Sequence, residues 1–185
     1  MTSAIRVRLE CLLERFARDG RALSAVEFAL ILPLMVTLFL GGTELSQAIA
    51  VKRKTVLVNR TVADLVAQDS TITNTEMTAI FGASAAVVAP YSSTNLKIVV
   101  SQLQIDSNGV AKVYQWSQPY QTTARTVNST VTIPTGLNIP NTYLIMAETS
   151  YTYTPPIGYT ITGPITLTDV MYLRPRLTTT ISCCS

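Results

Sequence analysis

The sequence contains no histidine, only three cysteines and few charged residues. The absence of histidine excludes a Ser-His-Asp triad, a Cys-His dyad and His-based zinc sites, because each of these needs an imidazole. A glycine-rich phosphate-binding loop is also absent. A Ser-Lys arrangement needs no histidine, but no feature of the sequence points to one. We therefore expect a protein that is not an enzyme and that has no cofactor or metal site.

Charge is sparse and unevenly placed. Charged residues make up 14% of the chain, and the formal net charge is +3. Much of this excess lies in residues 1–22, which carry more arginines than acids. The nearly neutral remainder lacks the basic patch of a nucleic-acid-binding protein, so we expect no nucleic acid partner. The hydrophobic content of 48% argues against disorder and for one modest domain beside a membrane segment.

The longest uncharged stretch is residues 28–43, between Glu27 and Glu44. As a helix it would rise roughly 24 Å, short of the hydrocarbon core of about 30 Å. Counting from Leu23 gives a full span and places Glu27 about one turn inside the membrane edge. A carboxylate costs on the order of 2.5 to 3.5 kcal/mol at the membrane centre and less near an edge, so it usually serves a partner. We assign residues 23–43 to a single transmembrane helix.

The residues around Glu27 carry a family resemblance. Residues 21–33 read Arg-Ala-Leu-Ser-Ala-Val-Glu-Phe-Ala-Leu-Ile-Leu-Pro. This stretch resembles the N-terminus of the TadE-like minor pseudopilins of the tight-adherence (Flp pilus) machinery, within the type IV pilin superfamily. The resemblance implies cleavage by prepilin peptidase between Ala22 and Leu23, with Glu27 and Phe28 as the fifth and sixth residues of the mature chain. One position differs from the family pattern, since the family usually has glycine where this chain has Ala22.

The resemblance also implies a role and a location. In a bundle of packed helices, Glu27 would neutralise the terminal amine of a neighbouring subunit, which relieves two buried charges at once. The implied partners are the bacterial inner membrane, prepilin peptidase, other pilin and pseudopilin subunits, and pilus assembly proteins. Residues 1–22 would be a cytoplasmic leader, and residues 44–185 a periplasmic domain. The implied function is that of a minor component in the assembly of an adhesive pilus.

Two other interpretations stay open. Ala48-Ile49-Ala50 has the small-x-small form of a signal peptidase site. Cleavage after Ala50 would release a secreted soluble binding domain that begins at Val51. The third interpretation is an uncleaved single-pass membrane anchor, for which the alanine at position 22 is the best argument. The N-terminus of the mature protein distinguishes the three.

Beyond the membrane segment, the pattern predicts an α+β, pilin-like fold. Apolar residues spaced by three and four continue the helix to about Gln68, with Leu45 and Ile49 among them, and we expect this part to pack on a sheet. A second helix is predicted from about Thr75 to Val88, with Thr73 or Asn74 as its cap.

Alternating apolar residues then predict an antiparallel sheet of about four strands. A hairpin turn is predicted at Asp106-Ser107-Asn108-Gly109, because Asn-Gly between alternating runs favours a tight turn. Residues 117–141 are rich in Gln, Thr, Asn and Ser and predict a long loop. The predicted strands are residues 95–105, 110–116, 143–153 and 165–173.

The cysteines lie near the two ends of the sequence. Cys11 falls in the leader, which would keep it in a reducing cytoplasm, whereas Cys183 and Cys184 would face an oxidising periplasm. Cys183 and Cys184 could form a disulfide with each other, bridge to another subunit, or stay as thiols. A disulfide-based scaffold is not expected, since it needs several well-spaced pairs.

Overall fold

A computed structural model describes residues 20–156 and 163–184, with side chains from Leu23 onward. The chain divides into two compact units between Leu45 and Ser46. The described part of the first unit is entirely helical, and the second unit holds the sheet and the hydrophobic core. The α+β class predicted from the sequence, with a long N-terminal helix, a second helix and an antiparallel sheet, is confirmed.

Helix α1 spans Gly20–Ala67. In the second unit it buries one stripe of side chains at spacings of three and four, which is the helical repeat of a single face. Leu45 and Ile49, which the same spacing placed in the apolar stripe, are instead 63% and 46% exposed. Spacing identifies a face of a helix, but it does not tell which turns of that face have a partner. The buried stripe is Val51, Thr55, Val58, Val62 and Val66.

Helix α2 spans Asn74–Ala86 and follows strand β1, Thr71–Ile72. Its cap is Thr73, whose hydroxyl accepts from the backbone N–H of Glu76 while the Glu76 carboxylate accepts from the backbone N–H of Thr73. This reciprocal pair satisfies two backbone donors that the first helical turn leaves without partners. The predicted second helix and its cap at Thr73 are therefore confirmed.

Five antiparallel strands form the main sheet, in the spatial order β4-β3-β2-β5-β6. Strands β2, β3, β5 and β6 correspond to the four predicted strands, but β3 extends to Tyr120, four residues into the segment predicted as loop. The fifth, β4, is a two-residue strand that pairs with β3 and lies inside the segment predicted as loop. The strands are β2 Leu96–Ile105, β3 Ala111–Tyr120, β4 Thr130–Val131, β5 Thr142–Tyr153 and β6 Ile165–Leu173.

The turn between β2 and β3 forms as the sequence predicts. Asp106 Oδ1 accepts hydrogen bonds from the backbone N–H groups of Asn108 and Val110, each at 2.9 Å. Gly109 has φ +79°, a left-handed backbone that glycine adopts without a steric cost. A side chain at this position would also meet the Asn138 side chain at about 3.0 Å. The hairpin prediction is confirmed.

The sheet has a core on each face, because side chains alternate along each strand. One core lies between the sheet and the helices, where Ile98 and Ile145 pack with Val58 and Phe81. The other includes Leu103, Val113, Leu144 and Met146, and residues of the 121–141 segment cover it, among them Val131 and Ile133. The segment predicted as a loop therefore contributes to a core.

The chain returns from β6 to the end of α1 through residues 174–184, which we call the C-terminal strap. The backbone N–H of Arg176 donates to the carbonyl of Ala67, the last residue of α1, at 2.9 Å. Strand β7, Ser182–Cys183, then pairs in parallel with β1. The strap thus binds the segment that joins the two helices, an arrangement the sequence did not predict.

Candidate membrane and assembly helix

The first part of α1 exposes its apolar side chains on all sides. Every residue from 23 to 39 is exposed, including Leu23 and Phe28 at 64% each and Phe39 at 70%. A helix of a water-soluble domain normally covers one apolar face, whereas a helix that is apolar all round belongs in lipid or among other helices. Within the described residues, α1 is the one helix long and apolar enough to cross a membrane.

The predicted assembly residues lie at the start of this apolar segment. Leu23 and Glu27 are four residues apart, so they lie one turn apart on the same face of α1. Phe28 follows on an adjacent face. Within the described residues, the Glu27 carboxylate makes no hydrogen bond or ion pair with another side chain. The Ala22 side chain lies outside the described side chains, and the roles of Ala22, Leu23, Glu27 and Phe28 stay predictions.

Pro33 lies inside the apolar segment, and α1 continues through it. Proline has no backbone N–H, so the Ala29 carbonyl lacks its usual intrahelical donor. One turn later, the Thr37 hydroxyl donates to the Pro33 carbonyl at 2.5 Å. Membrane helices tolerate such interruptions, because side chains and neighbouring helices satisfy the freed backbone groups.

The second part of α1 is held on the sheet by a polar network around Asn59, which is fully buried. Its amide nitrogen donates to Asp169 Oδ2 on β6 at 2.9 Å, and its amide oxygen accepts from the Thr149 hydroxyl on β5 at 2.9 Å. Lys52 approaches Asp169 Oδ1 at 3.5 Å and donates to the Thr168 carbonyl. These bonds fix both the rotation and the axial position of this part of α1.

Sequence reasoning missed this network. Asn59 and Asp169 are 110 residues apart. No local motif links residues at such a separation, so the sequence carried no signal that could have found the pair.

A charged pair lies on the opposite face of the sheet. Arg125 Nε donates to Glu148 Oε2 at 2.5 Å and Nη2 donates to Oε1 at 2.7 Å, which is the bidentate geometry of a strong ion pair. The hydrogen bonds to Glu148 raise the pKa of Arg125. Beside this pair is a depression of about 300 Å³ that Val99 and Val170 help to line. It contains none of the predicted site residues.

Chemistry-bearing side chains are otherwise scattered. Among the described residues, no group of three or more His, Cys, Asp or Glu side chains could hold a metal ion. Cys183 and Cys184 lie side by side on the C-terminal strap, with their sulfur atoms adjacent. The disulfide between them stays a prediction, and Cys11 lies outside the described residues.

Comparison with known families bears directly on α1. Residues 23–69 match the family model of TadE-like proteins. The match covers about a quarter of the chain and confirms the resemblance drawn from residues 21–33. No curated protein and no solved structure matches this chain. The TadE-like match connects the chain with the tight-adherence pilus and with pilus-assembly partners in general, and this family is not known as enzymatic.

Proposed function

We propose that this chain is a minor pseudopilin that takes part in the assembly of a tight-adherence pilus. The observation that carries the proposal is the first part of α1, whose apolar side chains are exposed all round while residues 23–69 match the TadE-like family. An apolar helix of this kind needs lipid or other helices around it. The inner membrane supplies the first environment, and a bundle of pilin helices supplies the second.

The rest of the proposal follows from this placement. Residues 23–43 cross the inner membrane, residues 1–22 stay in the cytoplasm, and residues 44–185 form a periplasmic domain. Prepilin peptidase removes the leader between Ala22 and Leu23. Two observations support this bond: the family match begins at Leu23, and Glu27 follows on the same helical face one turn later. The role is structural, through contacts with other pilin and pseudopilin subunits.

The N-terminus of the mature protein tests the processing step. The protein is recovered from membranes of cells with and without prepilin peptidase, and its intact mass and N-terminal sequence are measured. We expect a chain that begins at Leu23 only when the peptidase is present. Ala22→Gly, which restores the usual family residue, is the matched control and should be cleaved at the same bond. An uncut wild-type chain in both strains would overturn the processing step and leave a simple membrane anchor.

Glu27→Gln tests the assembly role. The amide keeps the size of the side chain but removes the charge that would neutralise the amine of a neighbouring subunit. We expect surface pili to fall at least tenfold, the equivalent of about 1.4 kcal/mol of lost pairing, with the protein still present in the membrane. The matched control is Glu44→Gln at the other end of the uncharged run, which should leave pilus number unchanged. Normal piliation of Glu27→Gln would refute the pairing role.

A secreted domain remains the second candidate, because one structural observation favours it. The buried stripe of α1 begins at Val51, so a chain cut after Ala50 would keep the whole stripe. Signal peptidase would then release residues 51–185 as a soluble binding domain. A mature chain that begins at Val51, independent of prepilin peptidase, would establish this candidate and refute the first.

A further inference from the structure

The C-terminal strap is anchored by one buried residue, Ile181, whose backbone is held from both sides. Its N–H donates to the side-chain oxygen of Gln102 at 2.7 Å, and its carbonyl accepts from the indole N–H of Trp116 at 2.8 Å. Gln102 lies on β2, and Trp116 lies on β3 beside a bulge. The Ile181 side chain is fully buried in the core between the helices and the sheet.

Beyond Ile181 the attachment is short. Strand β7 pairs with β1 over two residues, and the backbone bonds at the ends of this pairing run from Ser182 N–H to the Ser70 carbonyl at 3.2 Å and from Cys184 N–H to the Ile72 carbonyl at 2.7 Å. Cys184 has φ +66°, a left-handed backbone that L residues adopt at a cost. A two-residue strand with few bonds belongs to the parts of a fold that open most readily.

We propose that Cys183 and Cys184 make the docking of this strap dependent on their redox state. Both side chains are partly buried and pack against the same core as Ile181. A disulfide between adjacent cysteines limits the conformations of the peptide that joins them, so the segment loses less entropy when β7 docks on β1. With free thiols, the two residues regain that freedom, and the docked strand opens more often.

The chemical step is an ordinary thiol–disulfide exchange. The two thiols lose two protons and two electrons and form one S–S bond, while an external disulfide takes up the protons and electrons and becomes two thiols. A dithiol reductant reverses the step. The inference concerns the folded domain alone and does not depend on the proposed pilus function, so either can fail without the other.

The chain contains its own reporter of strap docking. Trp116 is the only tryptophan, it is 6% exposed, and its indole N–H is bonded to the Ile181 carbonyl. When the strap opens, the indole loses this partner and meets water, which shifts tryptophan emission to longer wavelength. Emission therefore follows the contact that the proposal concerns.

The experiment uses the full chain with Cys11→Ser, purified in detergent micelles, so that only Cys183 and Cys184 can react. One sample is equilibrated with glutathione disulfide and the other with dithiothreitol. Tryptophan emission and amide hydrogen exchange of peptides that cover residues 178–184 are measured in both. On reduction we expect red-shifted emission and roughly tenfold faster exchange in the strap, with unchanged far-UV circular dichroism.

The control is the double variant Cys183→Ser and Cys184→Ser in the same background. It should show fast strap exchange under both conditions, since it can form no disulfide. Equal exchange rates for the parent chain in the two redox buffers would overturn the proposal. So would peptide mass mapping that finds the oxidised cysteines joined between two copies of the chain rather than to each other.

Discussion

Within α1, residues 23–39 expose every side chain, whereas residues 51–67 bury a stripe that continues into the core of the domain. Both parts are α-helix, so backbone hydrogen bonding is the same in each. They differ in side-chain pattern. The first part is apolar on every face, whereas the second has a buried stripe on one face and polar residues on the others. Secondary structure alone therefore does not fix the surroundings of a helix. The distribution of apolar side chains around it does.

The two parts of α1 are stabilised by different interactions. The second part is stabilised inside the chain, by apolar burial along the stripe and by the Asn59 network. Among the described residues of its own unit, the first part finds no such burial, so we expect its stabilisation to come from lipid or from other subunits. A substitution in one part should then act on folding, and a substitution in the other on membrane insertion.

The largest effect is expected in the buried stripe. Val58→Asp places a carboxylate at a position with no exposure to water, and we expect a loss of about 4 kcal/mol or more in the free energy of unfolding. The matched control is Leu57→Asp, one residue earlier and 47% exposed, which should cost less than about 1 kcal/mol. Denaturant unfolding of the full chain in micelles measures both. Similar losses for the two variants would contradict the assignment of the buried face.

A somewhat smaller effect is expected in the apolar part. Leu34→Asp lies near the middle of the predicted span and should cost about 2.5 to 3.5 kcal/mol in membrane insertion. The fraction of protein that resists alkaline extraction from membranes should fall, while the unfolding of the sheet domain stays unchanged. Leu34→Ala serves as the control for lost side-chain size. If Leu34→Asp stays in the membrane as well as Leu34→Ala, residues 23–43 are not the span.

Asn59→Leu should have an intermediate effect on folding. It removes the bonds to Asp169 and Thr149, and the Thr149 hydroxyl is buried. We expect a loss of about 2 kcal/mol in the free energy of unfolding, since buried polar groups without partners cost about 1 to 3 kcal/mol each. Arg60→Leu, at the exposed neighbouring position, should change stability by less than about 0.5 kcal/mol. An equal response of the two variants would refute the anchoring role of Asn59.

The smallest effect concerns the cap of α2. The backbone hydrogen bond from Thr73 lowers the pKa of the Glu76 carboxyl from 4.5. A lowered pKa in the folded state means that the carboxylate stabilises the fold above pH 4.5, and that this contribution is lost as the pH falls through the folded-state pKa. We expect Glu76→Gln to be slightly less stable than the wild type at pH 7, and the difference to disappear as the pH falls through the folded-state pKa of Glu76. A pH-independent difference would refute this linkage.

Local signals account for the features that the sequence predicted. Sixteen uncharged residues between Glu27 and Glu44 predict the apolar helix, Thr73 or Asn74 predicts a capped helix start, and Asn108-Gly109 predicts a tight turn. Each of these signals lies within one element or one turn. The interactions that form these features act between residues close in sequence, so the sequence pattern predicts them without knowledge of the fold.

The features that the sequence missed depend on distant residues. Strands β1, β4 and β7 have two residues each, too few for a period of two to be visible. The bonds of Ile181 to Gln102 and Trp116 join positions 79 and 65 residues apart. Glu27 and Phe28 stay predictions for a different reason, since the partner proposed for them belongs to another subunit.

The two bonds to the Ile181 backbone also constrain the order of folding. Contacts at such sequence separations close long loops. The chain loses the conformational entropy of the loop before the contact can stabilise the fold. Gln102 and Trp116 can take their positions as soon as the β2–β3 hairpin forms, because their own pairing is local. The hydrogen-bonding groups that bind Ile181 are therefore in place before Ile181 docks. We expect docking of the C-terminal strap to be among the last steps of folding.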